Sequence, residues 1–498
     1  MCYILKEKKE IMKKTLLLFL GLILFIVSCS DKDDDFVPEV KPLADIVVQD
    51  FMWKAMNFWY FWQQDVPNLA DTKFKTNDEY RTFLASVEEP GDFFNTKLRF
   101  GDDRFSFFSE NYKELVNNFA GISKSSGMEF GLVNSASRGL FGVVRYIIPN
   151  SDASTKNITR GEVFNGVNGQ TLTIENYEQL LFGTNDSYTL NMANVTSNTI
   201  SRNGKEVSLT KREGLSENPV HLAKVVEVSG KKIGYLMYNG FTSKYDTNLN
   251  DAFGQFKTES VTDLVLDLRY NPGGSVNSAR LLSSMIYGKK TTELFLRQRW
   301  NNKLQSQFSR EDIEDYFAST LQNGTAINTL NLTRVYVLVS RSSASASELV
   351  INGLRPYLNV ILIGSTTRGK NEFSITMVDD PARSEAPFVY SEAREGNINS
   401  KNNWAIQPLV GRNENAAGFS DYTAGFTPEI ILSEDAINYG ILGNVNEPLF
   451  ARAIQAITGV SGKRDFTVEV PTDVFTSSKM FTPLKDNMYL DKEININF

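Results

Sequence analysis

Ser342 to Glu348 run Ser-Ser-Ala-Ser-Ala-Ser-Glu directly after the apolar stretch 335–339, and Lys370 follows 25 positions beyond Ser345 in the loop Arg368-Gly369-Lys370. A hydroxyl is a poor nucleophile at neutral pH and needs a base within hydrogen-bond reach. The chain holds one histidine, His221, so the candidate bases are few. A lysine can serve only when neutral: its ordinary pKa of about 10.4 must fall by roughly 3 units, about 4 kcal/mol of bias against the charged form. Burial supplies a bias of that size, and Val360-Ile361-Leu362-Ile363-Gly364 is apolar enough to help build the pocket. With Ser345 at a helix start, the N–H of Ala346 points toward a developing oxyanion. A second donor is available from the loop Arg269-Tyr270-Asn271-Pro272-Gly273-Gly274, where missing side chains permit close backbone approach. Taken alone, the serine segment is equally a small-residue helix start with Glu348 as capping-box partner of Ser345. The combination of three loops, each after an apolar strand, favours chemistry.

Those loops belong to a repeating strand, loop, helix pattern that begins near residue 218. Strands are expected over 233–238, 261–268, 335–339 and 360–363, and helices over 275–287 and 348–354. Sites in such folds assemble at the carboxyl ends of strands. Residues 121–211 instead show short strands with Gly and Asn turns, including 141–148 and 162–167, which predicts a β-rich unit. Further upstream, 45–64 and 77–87 read as helices, and Trp53, Trp59 and Trp62 form a stripe of the kind that normally faces a core.

A chain of 498 residues exceeds what one hydrophobic core usually supports. Its 41% hydrophobic and 22% charged residues are ordinary for a globular protein. A formal charge of −7 gives no support to a nucleic-acid partner. Two cysteines and one histidine argue against structural zinc, and nothing calls for a cofactor or metal. Lys13 and Lys14 precede an apolar stretch over 16–27 and then Ser28-Cys29. Twelve apolar residues are too few to span a bilayer, so the stretch reads as an export signal. Ile26-Val27-Ser28-Cys29 resembles the lipobox of bacterial lipoproteins, which implies a lipidated, membrane-anchored Cys29 in the cell envelope. The acidic run Asp31-Lys32-Asp33-Asp34-Asp35 suits a solvated tether, and also resembles the surface-export signal of Bacteroidetes lipoproteins.

Asp267-Leu268-Arg269-Tyr270-Asn271-Pro272-Gly273-Gly274, Ser343-Ala344-Ser345-Ala346-Ser347-Glu348 and Gly369-Lys370 resemble the three signatures of the C-terminal processing, or tail-specific, serine peptidases. The resemblance implies a multidomain α/β fold with a small helical N-terminal domain, a PDZ-like β-rich domain and a ClpP/crotonase-like catalytic domain. The expected boundaries are 1–29 for the signal, 30–43 for the tether, 44–118, 119–215 and 216–465 for the three domains, and 466–498 for a C-terminal extension. It implies Ser345 as nucleophile, Lys370 as general base, and the N–H groups of Ala346 and Gly274 as oxyanion donors. In the PDZ-like part, Met128-Glu129-Phe130-Gly131-Leu132-Val133 resembles a carboxylate-binding loop and its strand, making Gly131 and Leu132 the expected peptide contacts. Physically, an exposed strand edge can accept a peptide as an added strand. The implied partners are polypeptides, held through their C-termini. The alternative is an inactive relative that binds peptides without cutting them. Two departures bear on this choice. Many family members carry Gln four residues after the lysine, where it orients the base, and this chain has Ser374, with Asn371, Glu372 and Ser374 as the candidates for that role. The family's usual glycine before the first serine of the motif is Ser342 here.

Overall fold

The computed structural model describes residues 45–460, 465–482, 485–492, 494 and 496. The export signal, Cys29 and the acidic tether lie outside the described residues.

The apolar run after residue 333 forms the strand Arg334–Val339, near the middle of a six-stranded sheet. Val335, Val337 and Val339 enter one hydrophobic cluster while Tyr336 and Leu338 enter another, so the strand is buried on both faces, as parallel strands usually are. The sheet runs Val220–Val228, Lys231–Tyr238, Asp263–Asp267, Arg334–Val339, Asn359–Gly364, Ile430–Ile431. Its first two strands form an antiparallel hairpin, and every later pairing is parallel. The strands preceding the Gly-Gly loop, the serine segment and the lysine loop are therefore consecutive neighbours, with Asp267 opposite Leu338 and Val339 opposite Gly364. Their carboxyl ends open side by side.

Two helices follow directly from these loops. Val276–Ile286 starts at Ser275, whose Oγ accepts from Ser278 N–H at 2.9 Å, the N-cap arrangement that satisfies an orphan donor. Ala346–Leu354 starts at Ser345 and is buried along its whole length. A second sheet crosses the site in the order Gly274–Ser275, Met488–Tyr489, Glu372–Ser374, Leu409–Glu414, Leu294–Trp300, Glu314–Tyr316. It draws its first strand from the Gly-Gly loop, its second from the end of the chain and its third from just beyond Lys370.

The β-rich stretch builds a further sheet around Met128–Ser135, Gly139–Ile147, Val163–Val167, Ser187–Val195 and Ile200–Thr210. Its outer edge is not open: Thr476–Ser477, from the end of the chain, pairs antiparallel with Met128–Ser135, Thr476 opposite Leu132 and Ser477 opposite Gly131. The first helix among the described residues is Val47–Trp59, shorter than the expected 45–64 because Tyr60 turns to extended backbone. Trp59 is fully buried beside Trp300, and its Nε1 donates to Pro387 O at 2.7 Å. Trp53 and Trp62 lie partly buried on the same cluster, which is continuous with that of the α/β part. The aromatic stripe faces a core.

Candidate active site

Five serines crowd the turn after Val339 and the helix start, and their surroundings separate them; Ser340 Oγ donates to Arg269 O. Ser343 Oγ donates to Leu268 O at 2.8 Å and Ser347 Oγ to Asn271 O at 3.0 Å, tying the turn to the Gly-Gly loop. Ser342 Oγ accepts from Arg145 Nη2 at 3.0 Å. Ser345 Oγ is buried and has no hydrogen-bond partner among the described residues. Its backbone has φ 64° and ψ −116°, a left-handed conformation that costs a non-glycine residue about 1–3 kcal/mol and persists only when its surroundings impose it. Strain at a strand-to-helix turn throws the side chain clear of both elements. Ala346 is the first helical residue, so its N–H lacks an intrahelical acceptor.

The Gly-Gly loop is held against this turn by Asn271. Its Nδ2 donates to Tyr238 O at 2.9 Å, its Oδ1 accepts from Gly273 N–H at 2.9 Å, and its carbonyl accepts from Ala344 N–H at 3.2 Å. Gly273 and Gly274 sit at φ 116° and 135°. A Cβ on Gly273 would fall 2.7 Å from Ser345 Cβ, and one on Gly274 2.2 Å from Phe241 O. Only glycine lets the loop approach Ser345 this closely.

Lys370 is fully buried. Burial pushes its ammonium below the usual lysine range, against the pull of the Asp486, Glu372 and Asp103 carboxylates. This is the direction a lysine base requires. The Phe105 ring lies 4.9 Å from Nζ, and Arg104 Nη2 donates to Gly369 O at 2.5 Å, so the N-terminal helical region walls the lysine pocket. The Nζ and Ser345 Oγ are not hydrogen-bonded to each other; Nζ donates to Asn487 Oδ1 at 3.3 Å.

Glu348 joins the two halves. Its Oε2 accepts from Ser345 N–H and Lys370 N–H, both at 2.9 Å, and its Oε1 from Gly369 N–H at 2.7 Å and the Thr367 hydroxyl at 2.5 Å. Burial raises its carboxyl to about 7 in spite of these four donors. The capping partnership with Ser345 was readable from spacing; the bonds to the lysine loop were not.

The end of the chain closes the site. Asn487 O would lie 2.8 Å from a Cβ on Gly273, the point that Ser345 Oγ would meet at 2.9 Å. Parallel pairing of Gly274 with Met488 lays this peptide along the Gly-Gly loop. Gly131 and Leu132, the expected peptide contacts, are paired with Ser477 and Thr476. Ser374 makes no hydrogen bond to Lys370; its Oγ bonds Asn487 Oδ1 at 2.7 Å. His221 packs its ring on Tyr146 at 4.7 Å and makes no hydrogen bond to Ser345. No cluster of potential metal ligands occurs among the described residues.

A strained, buried serine beside a glycine loop and a buried lysine can supply a nucleophile, oxyanion donors and a base. Residues 232–381 match the model of peptidase family S41, and residues 47–107 match that of the peptidase S41 N-terminal domain. The chain is similar to a carboxyl-terminal-processing protease of Picosynechococcus, 22% identical over 50% of this chain and 50% of the relative. It is also similar to the chloroplastic carboxyl-terminal-processing peptidase 2 of Arabidopsis thaliana, 26% identical over 54% of this chain and 50% of the relative. The chain thus spans about half the length of these curated relatives. A Bacteroides fragilis crystal structure assigned to the S41 proteases matches 82% of this chain and 97% of its own, at 26% identity and TM-score 0.64. These are likenesses to the S41 C-terminal processing peptidases, a family of serine peptidases, and the family models match two segments of the chain.

Proposed function

We propose that the protein is a serine endopeptidase that cuts polypeptides with a Ser345–Lys370 dyad. The observation that carries this reading is Ser345 itself: of the serines at the turn it alone is strained, buried and unpaired, and Glu348 ties its main chain to that of a buried Lys370. In the proposed reaction Ser345 Oγ attacks the scissile carbonyl carbon while its proton passes to neutral Lys370 Nζ. The oxyanion takes hydrogen bonds from the N–H groups of Ala346 and Gly274. Collapse expels the amine, which receives the proton from Lys370. Water, deprotonated by Lys370, then hydrolyses the ester and restores Ser345. The hydroxyl and amine must close to about 3 Å for the first step, a contact that commonly tightens only once substrate is bound.

The β-rich unit acts in this reading as a PDZ-like substrate gate. Its support is the use the chain makes of that edge: Phe475 N–H donates to Leu132 O at 2.8 Å, and Ser478 Oγ accepts from Phe130 N–H at 3.0 Å while donating to Glu129 at 2.6 Å. An edge that accepts one extended segment can accept another.

The test is turnover of an unstructured polypeptide by the purified protein. Ser345→Ala and Lys370→Ala should each abolish cleavage and labelling by a fluorophosphonate; full activity in either variant overturns the dyad. Peptide binding by a protein that neither cuts nor labels would instead establish the inactive-relative reading.

The proposed location is the cell envelope, anchored through a lipidated Cys29. It rests on the basic, apolar and Ser28-Cys29 sequence of the N-terminus; no helix among the described residues is long and apolar enough to cross a membrane. Cys29→Ala should move the protein from the membrane to the soluble fraction. An unchanged distribution would refute the anchor.

A further inference from the structure

Lys370 Nζ has one hydrogen-bond acceptor among the described residues, Oδ1 of Asn487, 117 positions further along the chain. That oxygen is itself held. Ser374 Oγ donates to it at 2.7 Å, and Gln407 Nε2 donates to Ser374 Oγ at 3.0 Å, so three polar side chains stand in line behind the ammonium. Lys370, Ser374 and Gln407 are 0% exposed and Asn487 is 1% exposed. Asn487 Nδ2 is buried without a partner. A buried carboxamide donor that no protein group accepts from adds nothing to the stability of the fold.

The backbone around Asn487 gives it little freedom. Met488–Tyr489 is an interior strand, with Gly274–Ser275 on one side and Glu372–Ser374 on the other. Leu490 N–H donates to Ser374 O at 3.1 Å, Ser275 Oγ donates to Asp491 at 2.7 Å, and Met488, Ile494 and Ile496 are buried in the main core. Arg368 fixes the preceding residue through an ion pair with Asp486 at 3.2 Å. The carboxamide oxygen is therefore a fixed point beside a flexible amine.

A neutral lysine carries two N–H bonds and one lone pair. Anchoring one N–H restricts rotation about Cε–Nζ and so restricts where the lone pair can point. We propose that Asn487, delivered by the C-terminal strand, is the positioning residue that orients Lys370 toward Ser345. The inference rests on the Ser345–Lys370 dyad proposed above. It also accounts for Ser374: a short side chain there leaves the space that the Asn487 carboxamide fills, and a longer amide at 374 would project into that same space.

The experiment compares the full protein with Asn487→Ala and with Asn487→Ala/Ser374→Gln, reading turnover of an unstructured polypeptide from pH 6 to 9.5, fluorophosphonate labelling of Ser345, and thermal unfolding. Asn487→Ala should lower kcat by about 10- to 100-fold, part of what a general base contributes, with KM within about twofold. The acid limb of its pH profile should move to lower pH, because an acceptor that favoured the ammonium is gone. Supplying an amide from position 374 should recover most of the lost kcat. Asn487→Ala that keeps wild-type kcat and the same acid limb overturns the inference, as does a loss that follows unfolding and is not recovered by Ser374→Gln. If the unmodified protein neither cuts nor labels, the dyad fails first and the positioning role falls with it.

Discussion

The main-chain N–H of Ser345 and that of Lys370 end on the same carboxylate oxygen, Oε2 of Glu348, each at 2.9 Å. The proposed nucleophile and base, on loops from neighbouring strands, are held at a common distance from one buried anchor. With Oε1 engaged by Gly369 and Thr367, all the capacity of this carboxylate serves the two loops.

Glu348→Gln should therefore impair catalysis out of proportion to its size. One of the two oxygens becomes an NH2 group facing backbone donors, and each buried donor left unmatched costs about 1–3 kcal/mol. We expect kcat to fall at least about tenfold, with slower Ser345 labelling and little change in KM. Losing a buried charge offsets part of the stability loss, so melting temperature should move less than activity. Wild-type kcat in this variant would show that the bridge is dispensable.

The pH dependence has two sources of known sign. Lys370 is held below its ordinary pKa, so the unfolded chain binds a proton that the fold excludes. That penalty is fully present below the folded pKa and fades as pH rises toward the unfolded value of about 10.4. Lys370→Met should accordingly raise the melting temperature, more at pH 6 than at pH 9.5; an equal gain at both would count against a buried, displaced lysine. Glu348, raised to about 7, is protonated below that pH and then loses acceptor capacity. Activity should thus climb as pH rises through about 7, where Glu348 ionises, and climb further once Lys370, lowered from the ordinary lysine range, gives up its proton.

Gly274→Ala should abolish activity and destabilise the fold. The added carbon would stand 2.2 Å from Phe241 O, at φ 135°, where no neighbouring side chain can move aside. Backbone strain of this kind costs about 1–3 kcal/mol before the clash is counted. Thermal unfolding and turnover check both halves. A fully active Gly274→Ala would remove this loop from the oxyanion site.

Loosening the segment on the β-sheet edge should raise turnover. Residues from Val474 to Ser477 face Tyr270, Pro272 and Ala344 across the cleft beside the serine turn, and Phe481 stacks on Phe182 at 3.7 Å. Phe475→Pro deletes the N–H that reaches Leu132 O. A net loss of about 1 kcal/mol shifts docked against undocked segment by about fivefold. We expect kcat/KM on an unstructured polypeptide to rise several-fold, and Phe481→Ala to act in the same direction. A drop in both would mean that the docked segment assists substrate instead of competing with it.

Much of this protein was written locally. The strand, loop, helix rhythm placed Arg334–Val339, Asn359–Gly364 and Val276–Ile286 within a residue or two, because period and burial on both faces are properties of short stretches. Ser345, Lys370 and the Gly-Gly loop stood out through residue type and spacing. What the sequence could not order was contact between distant stretches. It did not show that the three strands are neighbours, that Arg104 and Phe105 wall the lysine pocket, or that Thr476 would take the edge beside Leu132. Nor did it show what stands behind Lys370: Ser374 was the residue to examine, and the fold places Asn487 between them. Local pattern reflects energies decided within a few residues. The partner of a buried ammonium is decided by which strand fills the gap beside it, and only the packed chain settles that.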